Sequence, residues 1–523
     1  MRGTWPFNKA GLGARGRVPP AEMAVLAVLW LLASCGERYA SEGERVARAY
    51  CGACHAFPEP ELLDRNTWEA SVLPRMAPRL GVNPPSIYDD AAGDSNMSVL
   101  TVRVSREIWQ KIVEYYLAWS PDTLPLQVLP AGPRLDPAHF AVSAFAPGLQ
   151  SSAVITLLEA DPAHRRVFAG EAGTNRLLIF DRDRMLVATR TLRSPPTDVI
   201  GRDDHVLVLE SGILHPNDEP RGRLARYDYA TGDSLEPGPV IIDSLFRPVF
   251  VEPFDVDGDD ADGFLICEYG DHRGRLALYR STGGGYERRV LHDSPGAIRF
   301  EIRDMTGDGH ADVVALFAQG DERIVLFEND GRGGIGTEPR VLARFPPVYG
   351  SMHFALHDFN GDGHVDILYV NGDNFDFSRI RKPYHGVRIL ENDGRNHFAQ
   401  RYFFPMYGAA RAEAVDFDSD GDLDILATAN FADADLHPER GIMFFENVGT
   451  YAFVPHAFTA AAGNQWNRMA IVDLDRDGRP DALIGAMDLA NVASDQRGWS
   501  ADTSAATRDA ILFFRNETSN RSR

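Results

Sequence analysis

The stretch DFNGDGHVDILYV, residues 358–370, decides the fold of most of this chain. Its first nine residues carry oxygen-bearing side chains at positions one, three, five and nine, and a glycine at position six, where a cation-binding loop turns sharply. The four residues that follow form an apolar run typical of a buried strand. The stretch therefore predicts a tight acidic loop that leads directly into a strand of a sheet core.

The same D-x-[DNT]-x-D-G-x-x-D pattern occurs four times, in loops that begin at Asp304, Asp358, Asp416 and Asp473. A fifth loop, which begins at Asp255, is degenerate because its ninth position is a glycine. The complete loops start 54, 58 and 57 residues apart, and a period of this size indicates a solenoid or a propeller.

Each repeat is rich in predicted strands. The apolar run after the loop is followed by a second run that ends in asparagine, as in residues 324–329, 386–392 and 442–447. Two earlier units, residues 167–180 and 206–227, keep the strands but lack the loop. With the degenerate unit the total is seven units, each of about 56 residues.

These units predict an all-β, seven-bladed β-propeller over residues 135–523. The chain ends soon after a third-position strand, residues 511–514, so the last blade needs a fourth strand from elsewhere. Residues 140–145 are predicted to supply that strand and to close the ring.

The aspartate loops predict calcium sites, because carboxylates at this spacing can converge on one hard cation. They resemble the loops of FG-GAP or VCBS-type propellers, including those of integrin α subunits, and the resemblance places them between the first and second strands of a blade. Strands on both sides and the lack of a glutamate at position twelve argue against an EF-hand. Three to four calcium ions are expected, and a fifth if the Asp255 loop closes. Their expected role is structural: each ion would stabilise a loop whose carboxylates otherwise repel one another. The predicted ligands are Asp304, Thr306, Asp308, Asp312, Asp358, Asn360, Asp362, Asp366, Asp416, Asp418, Asp420, Asp424, Asp473, Asp475, Asp477 and Asp481.

A second motif, Cys51-Gly52-Ala53-Cys54-His55, predicts one covalently attached c-type haem. Cys51 and Cys54 can each form a thioether, and His55 can ligate the iron from the same turn. A zinc site would need a second pair of ligands at similar spacing, yet the other two cysteines are Cys35 and Cys267, and a thioredoxin-like dithiol does not require the histidine. Cys267 lies in an apolar run and is predicted to be a buried strand residue.

Helices are predicted around this motif, over residues 42–49, 67–76 and 105–119. The arrangement resembles a class I c-type cytochrome, which implies an all-α domain over residues 41–120 ahead of the propeller. Two methionines compete for the sixth iron position. Met97 has the spacing of ordinary class I cytochromes, whereas Met76 resembles the ligand of short modules fused to propellers and dehydrogenases. Met76 is favoured, and methionine ligation would raise the reduction potential relative to two histidines.

Residues 1–34 read as an export signal with a basic leader and a short apolar core. Leu32-Ala33-Ser34-Cys35 resembles a bacterial lipobox, which implies lipidation of Cys35. Because Gly36 follows the cysteine, the resemblance implies anchoring to the outer membrane, on the periplasmic side or at the cell surface. The alternative is an ordinary cleaved signal with an incidental cysteine.

Residues 121–134 contain four prolines and are predicted to be a linker. The chain carries 53 basic and 75 acidic residues, a net charge of −22, and such a surface repels nucleic acid. Membrane contact is expected through the lipid anchor alone.

Ligand binding on the propeller is predicted at the connections between second and third strands, on the face opposite the aspartate loops. Several blades place an acid or amide before this connection and an arginine after it, which predicts either a charged funnel or ion pairs between blades. These pairs are Glu171 with Arg176, Glu210 with Arg223, Glu268 with Arg275, and Asn371 with Arg388. The residues to test first are His215, His272, Arg273, His385 and Trp499.

Three functions fit these observations. The leading hypothesis is an exported haem-binding electron-transfer protein whose calcium-stapled propeller docks a redox partner protein or a carbohydrate. The second is a periplasmic dehydrogenase with its substrate site in the propeller funnel, although the sequence shows no motif for a quinone or nucleotide cofactor. The third is a cell-surface adhesion module.

Overall fold

The computed structural model describes residues 41–82, 104–129, 132–146, 149, 154–230, 234–256, 263–373, 380–433, 435–487 and 509–518. In these ranges none of the helices has both the length and the apolar character needed to cross a bilayer. The signal segment 1–34 with Cys35, as well as Met97 and Trp499, lies outside the described residues.

Helices occupy the part of the chain that precedes the propeller. They are α1 (Glu42–Cys51), α2 (Arg65–Thr67), α3 (Leu73–Arg79) and α4 (Arg106–Trp119), with a π-helical turn at Trp68–Val72 between α2 and α3 and a short 3₁₀ turn at Pro60–Leu62. Ser41 and Ser105 cap α1 and α4, since each hydroxyl accepts a backbone N–H three residues ahead. The helices predicted over 42–49, 67–76 and 105–119 are therefore present, each extended or shifted by a few residues.

Helices α1 and α4 cross at Gly43. A Cβ atom there would lie 2.9 Å from the carbonyl oxygen of Lys111 and 3.0 Å from Cβ of Tyr115, so only glycine allows this close approach. Behind the crossing, Trp68 and Tyr116 are fully buried with their rings 4.4 Å apart. Both polar tips are satisfied, because they donate to backbone carbonyls at 2.7 and 2.9 Å. The crossing is thus a packed core and not a loose contact.

Twenty-nine strands in the described residues form seven sheets around a common axis, and all pairings except that of the short β1 are antiparallel. Two short strands, β1 (Arg134–Leu135) and β2 (Phe140–Ala144), come before the first blade. The blades are: blade 1, β3 (Ile155–Asp161), β4 (Arg166–Glu171), β5 (Arg176–Asp181) and β6 (Leu186–Thr191); blade 2, β7 (Pro196–Gly201), β8 (His205–Glu210), β9 (Gly222–Tyr229) and β10 (Leu235–Leu245); blade 3, β11 (Pro248–Pro253), β12 (Gly263–Glu268), β13 (Arg275–Ser281) and β14 (Tyr286–His292); blade 4, β15 (Ala297–Arg303), β16 (Asp312–Phe317), β17 (Arg323–Phe327) and β18 (Arg340–Arg344); blade 5, β19 (Ser351–His357), β20 (Asp366–Asn371), β21 (Gly386–Asn392) and β22 (Phe398–Pro405); blade 6, β23 (Ala409–Val415), β24 (Asp424–Ala429), β25 (Ile442–Asn447) and β26 (Phe453–Ala457); and blade 7, β27 (Trp466–Val472), β28 (Asp481–Ala486) and β29 (Ile511–Asn516), completed by β2. The predicted seven-bladed all-β propeller is confirmed.

Blade 7 closes the ring as predicted. Strand β2 pairs antiparallel with β29, with Phe140 opposite Asn516 and Ala144 opposite Leu512. Just before it, β1 runs parallel to β26 at the outer edge of blade 6. The same N-terminal segment therefore contacts both blades next to the closure, which removes the open edge that an unpaired last blade would present.

The apolar core lies between blades. The second strands, such as β16, β20, β24 and β28, are buried at every residue, because neighbouring blades cover both of their faces. Cys267 is fully buried in β12, where burial raises the pKa of its thiol, and this agrees with the predicted strand position.

Since consecutive strands of a blade are antiparallel, the aspartate loops between first and second strands share one face of the propeller. The helices pack on the opposite face. There the hydroxyl of Tyr384 donates to the carbonyl oxygens of Leu62 (3.0 Å) and Val348 (3.2 Å), and Val348 is buried in the same apolar cluster as Trp68 and Tyr116. Gln127 of the proline-rich segment donates to the carbonyl of His385 at 2.8 Å on this face.

Candidate metal centres

The CGACH motif lies where helix α1 ends. Cys51 is the last helical residue, Gly52 is the C-cap, and both thiols of the motif are free. Burial raises the pKa of the Cys51 thiol to about 11, an effect partly offset by a hydrogen bond with Tyr116. Cys54 is exposed, so the two sulfur atoms lie at the boundary between the apolar cluster and solvent.

The orientation of His55 suits a metal ligand. Its Nδ1 lies 2.9 Å from the carbonyl oxygen of Ala56. Because a carbonyl can only accept, Nδ1 carries the proton in this contact, and the lone pair of Nε2 remains available. Burial also lowers the pKa of the imidazole, which favours the neutral form that binds metals.

Met76 belongs to the same apolar cluster as Cys51. It lies in α3 and is partly buried, and Ile108 and Trp109 of α4 pack against the same cluster. A partly buried thioether beside the motif is compatible with the predicted axial ligand. The structure gives no comparison with Met97, which lies outside the described residues.

The motif faces a charged edge of the propeller. The charges of Asp321 and Arg344, from blade 4, both act on the His55 imidazole. These two residues form an ion pair in which Nε of Arg344 lies 2.6 Å from the Asp321 carboxylate, and Arg323 adds a second pair at 3.1 Å. Asp321 therefore raises and Arg344 lowers the pKa of the His55 imidazole, in addition to the larger effect of burial.

The four complete aspartate loops fold in the same way. The position-one carboxylate accepts backbone N–H groups from later in the loop, for example from Gly361 (2.7 Å) and Gly363 (2.8 Å) at Asp358. Equivalent contacts occur at Asp304, Asp416 and Asp473. These hydrogen bonds hold each loop in a tight turn without a contribution from a cation.

Two loops bring the predicted ligands together. One carboxylate oxygen from each of positions one, three and nine lies within 4.8 Å of the others in both loops. The carboxylate of Asp477, at position five in blade 7, pairs with Arg479. In both loops the backbone N–H of the position-five residue donates to positions one and three. The two groups are Asp416, Asp418 and Asp424 in blade 6, and Asp473, Asp475 and Asp481 in blade 7.

The other two loops contain neutral ligands at position three. Asn360 donates from Nδ2 to Asp362 at 2.9 Å, and the Thr306 hydroxyl lies 3.5 Å from Asp304. Asp308 accepts the backbone N–H of His310 at 2.9 Å. In the Asp255 loop, residues 257–262 lie outside the described part, so its closure is not described.

Sequence analysis missed Asp422, at position seven of the blade 6 loop. Its Oδ1 is buried and has no hydrogen-bond partner in the described part of the chain. Burial and the neighbouring Asp420 and Asp418 carboxylates raise the pKa of Asp422 to about 6. A concentration of carboxylate oxygens with unused lone pairs fits a hard divalent cation, which would offset both the repulsion and the desolvation.

The position-nine aspartates have a second role that was also missed. Asp312, Asp366, Asp424 and Asp481 are fully buried, and each accepts backbone N–H groups from loop position two and from an asparagine at the end of the third strand. Burial raises the pKa of Asp424 to about 8 and that of Asp481 to about 6. The contacts are with Met305 and Asn329, Phe359 and Asn392, Phe417 and Asn447, and Leu474 and Asn516, respectively, at 2.8–3.2 Å. The recurrent asparagine that ends each second apolar run was the available signal.

The acid–arginine and amide–arginine pairs lie on the face opposite the aspartate loops. They neither line an open funnel nor form ion pairs between blades. Each pair joins the two strands of one hairpin, as in Glu210 with Arg223 at 2.8 Å. Glu210 also accepts the backbone N–H of Ser194, and Glu268 that of Phe246, so these buried carboxylates hold the chain entering their own blade. The remaining pairs behave alike: Glu171 with Arg176, Glu268 with Arg275, and Asn371 with Arg388.

Two of the five residues chosen for ligand tests lie together. His272 and Arg273 donate backbone N–H groups to Asp218, at 2.8 and 2.7 Å, from the blade next to the one that carries Asp218. His215 lies in the same connection as Asp218. His385, in contrast, is buried, and Gln127 donates to its backbone carbonyl at 2.8 Å.

The propeller axis contains a cavity of about 260 Å³. It is lined by charged residues from first strands, and burial raises the pKa of both Glu159 and Glu252 there. Sequence analysis followed the ends of the hairpins and missed these inward-facing positions. The charged lining consists of Glu159, Glu252, Arg299, Arg411 and Glu413.

Comparisons with known proteins agree with this architecture. Residues 304–369 match the model of the FG-GAP-like repeat family, and they include the loops of blades 4 and 5. The chain is a propeller with an FG-GAP-like repeat. No curated protein matches the sequence.

Three solved structures are similar in fold. The Dos1 propeller shares 10% identity, with coverage of 69% of this chain and 77% of that chain and a TM-score of 0.40. The periplasmic gluconolactonase PpgL of Pseudomonas aeruginosa shares 14%, with coverage of 57% and 86% and a TM-score of 0.35. A luciferin-regenerating enzyme shares 11%, with coverage of 61% and 99% and a TM-score of 0.36.

Proposed function

We propose that this propeller protein is an exported electron-transfer protein that carries one covalent haem in its helical part. The observation that supports the proposal most is the state of the CGACH motif. Its two free thiols end one helix, its imidazole has Nε2 available, and an apolar cluster that includes Met76 lies beside it. This combination fits covalent haem attachment.

Each residue has a defined task in this proposal. Cys51 and Cys54 would hold the porphyrin through thioether bonds, and Nε2 of His55 would ligate the iron, with Met76 as the proposed sixth ligand. The bound haem would supply reversible one-electron transfer. Tyr50, Ile108 and Trp109 are partly exposed members of the apolar cluster and would keep water away from the ring.

The propeller would select the partner. The helices rest on it through Tyr384 and Val348, so the haem would be held at a fixed place beside blade 4 and would not swing on a tether. We further propose that calcium in the aspartate loops stabilises the propeller and that a redox partner protein or a carbohydrate binds it. Lipidation of Cys35 and outer-membrane location remain part of this proposal.

Covalent haem retention tests the central step. The chain is produced in cells with a c-type maturation system, and the purified protein is extracted with acidic acetone. We expect the red colour to stay with the protein. Release of the colour into the acetone would contradict the proposal, since non-covalent haem is extracted under these conditions.

A second candidate function is a dehydrogenase that reduces the haem. The charged axial cavity favours it, because Arg299 and Arg411 beside Glu252 could bind a small polar substrate. Candidate sugars and alcohols, mixed one by one with the oxidised protein, distinguish the two functions. Haem reduction by a substrate alone would favour the dehydrogenase, whereas reduction only by a redox protein would favour the carrier.

A further inference from the structure

A cluster of unlike ligands lies beside the ring closure, apart from the haem motif. His139 precedes strand β2, Glu446 lies on β25 of blade 6, and Asp418 lies in the aspartate loop of that blade. One potential ligand atom from each of the three residues lies within 4.8 Å of the other two. Three separate segments of the chain therefore converge on one small volume.

Two imidazole nitrogens in this region, one from each of two histidines, lack the partners that buried polar atoms normally have in the described residues. Nδ1 of His139 is buried, and no hydrogen-bond partner for it exists among the described residues. His456 is only 3% exposed, and its Nδ1 is likewise without a partner in that part of the chain. An unsatisfied nitrogen in a buried position costs about 1–3 kcal/mol, and a ligand bound by His139 would remove this cost at its Nδ1.

The surroundings position the ligands. The His139 ring packs against Phe444 with centroids 5.6 Å apart, and Nε2 of His456 lies 2.9 Å from the Glu446 carboxylate. A ligating carboxylate is commonly held in this way by an outer hydrogen-bond partner. His456 thus orients Glu446, and Phe444 limits the rotation of His139.

We infer that His139, Glu446 and Asp418 bind a divalent transition-metal ion of the zinc class. Calcium prefers oxygen ligands alone, whereas an imidazole nitrogen combined with carboxylates suits zinc. Three protein ligands leave a position for water, and the residues are only partly buried, so an ion can enter from solvent.

A metal ion at this site would stabilise the closure of the propeller ring. His139 directly precedes Phe140, which pairs with Asn516 in the closing strand, while Glu446 and Asp418 belong to blade 6. Zinc would therefore connect the N-terminal segment to blade 6 by bonds that span the closure. Asp418 also belongs to the calcium group of that loop, so one carboxylate would contribute to both cations.

Zinc titration of the haem-loaded full chain tests this inference, with calcium held in excess so that the aspartate loops are saturated. Isothermal titration and metal analysis after dialysis should give one zinc equivalent more for the wild type than for His139→Ala. The thermal midpoint of the wild type should rise by a few degrees with zinc, and this rise should vanish in the variant.

His397→Ala is the matched control, because His397 is 76% exposed and contacts only Asp393 in the described structure. It should bind as much zinc as the wild type, and calcium content should be equal in all three proteins. Glu446→Gln is a second variant, and it should also bind one zinc equivalent less than the wild type. Equal zinc binding by the wild type and a folded His139→Ala or Glu446→Gln protein would overturn the inference.

Discussion

Asp366 accepts a hydrogen bond from the backbone N–H of Asn392 at 2.8 Å, and this pairing of a loop carboxylate with the end of the third strand recurs in every blade with a complete aspartate loop. The asparagine side chain makes a second hydrogen bond to the same segment, because Nδ2 of Asn392 donates to the carbonyl of Val365, the residue before Asp366. The base of each loop is thus fixed by protein contacts alone.

Two of these asparagines also connect blades. Nδ2 of Asn516 in blade 7 donates to the carbonyl of Phe417 in blade 6 at 2.7 Å, and Asn329 in blade 4 does the same to Val256 of the preceding blade at 3.1 Å. Each acceptor is the second residue of an aspartate loop. Ordering a loop at these two places therefore also orders the contact between blades 3 and 4 and between blades 6 and 7.

Asp366→Ala should destabilise the propeller whether or not calcium is present. The substitution leaves the N–H groups of Phe359 and Asn392 buried without their acceptor, at about 1–3 kcal/mol for each. Urea unfolding in calcium and in chelator should show the loss in both conditions. Asp183→Ala is the control, since Asp183 is exposed and pairs with Arg182 at 3.9 Å, so it should change stability little. Wild-type stability of Asp366→Ala in chelator would refute the anchoring role.

Asp362→Ala, in contrast, should destabilise the propeller only when calcium is present. Asp362 is exposed, and its protein contacts are with its own loop, so its contribution depends on the cation. We expect a lower thermal midpoint than the wild type in calcium and nearly the same midpoint in chelator, because an ion that binds only the folded state stabilises by mass action. Asp183→Ala, an exposed carboxylate far from the loops in sequence, should match the wild type in both. The same loss in both conditions would argue against a metal at this loop.

The repeat could be read from the sequence because the loop pattern, its period and the strands that follow are local properties. The closing strand was predictable for a similar reason, since one blade was a strand short. Contacts between side chains that are distant in the sequence could not be predicted in this way. Glu210 and Arg223 were recognised as a pair, but not as partners within one hairpin, and the ligands Asp418 and Glu446 approach His139 only after the ring closes. Distances between segments of this kind are set by tertiary packing, which spacing along the chain does not encode.

Cys54→Ala should abolish stable covalent haem if the proposed function is correct. One of the two sulfur attachments is removed while helix α1, which ends at Cys51, keeps its capping contacts. Haem staining after denaturing electrophoresis should show a near-complete loss relative to the wild type. Cys267→Ala removes a thiol from the core of blade 3 and should stain normally. Equal staining of Cys54→Ala and the wild type would end the cytochrome assignment.

Met76→Ala and Met97→Ala should distinguish the two candidates for the sixth iron position. Met76 packs against the cluster that contains Cys51, so its loss should remove a thioether from the iron and lower the reduction potential. Potentiometric titration of the haem in both variants measures this directly, and the optical spectrum reports the change of ligand. Because neither substitution alters a thioether-forming cysteine, both proteins should retain covalent haem. A lowered potential in Met97→Ala together with an unchanged one in Met76→Ala would transfer the assignment to Met97, and an unchanged potential in both would exclude methionine ligation.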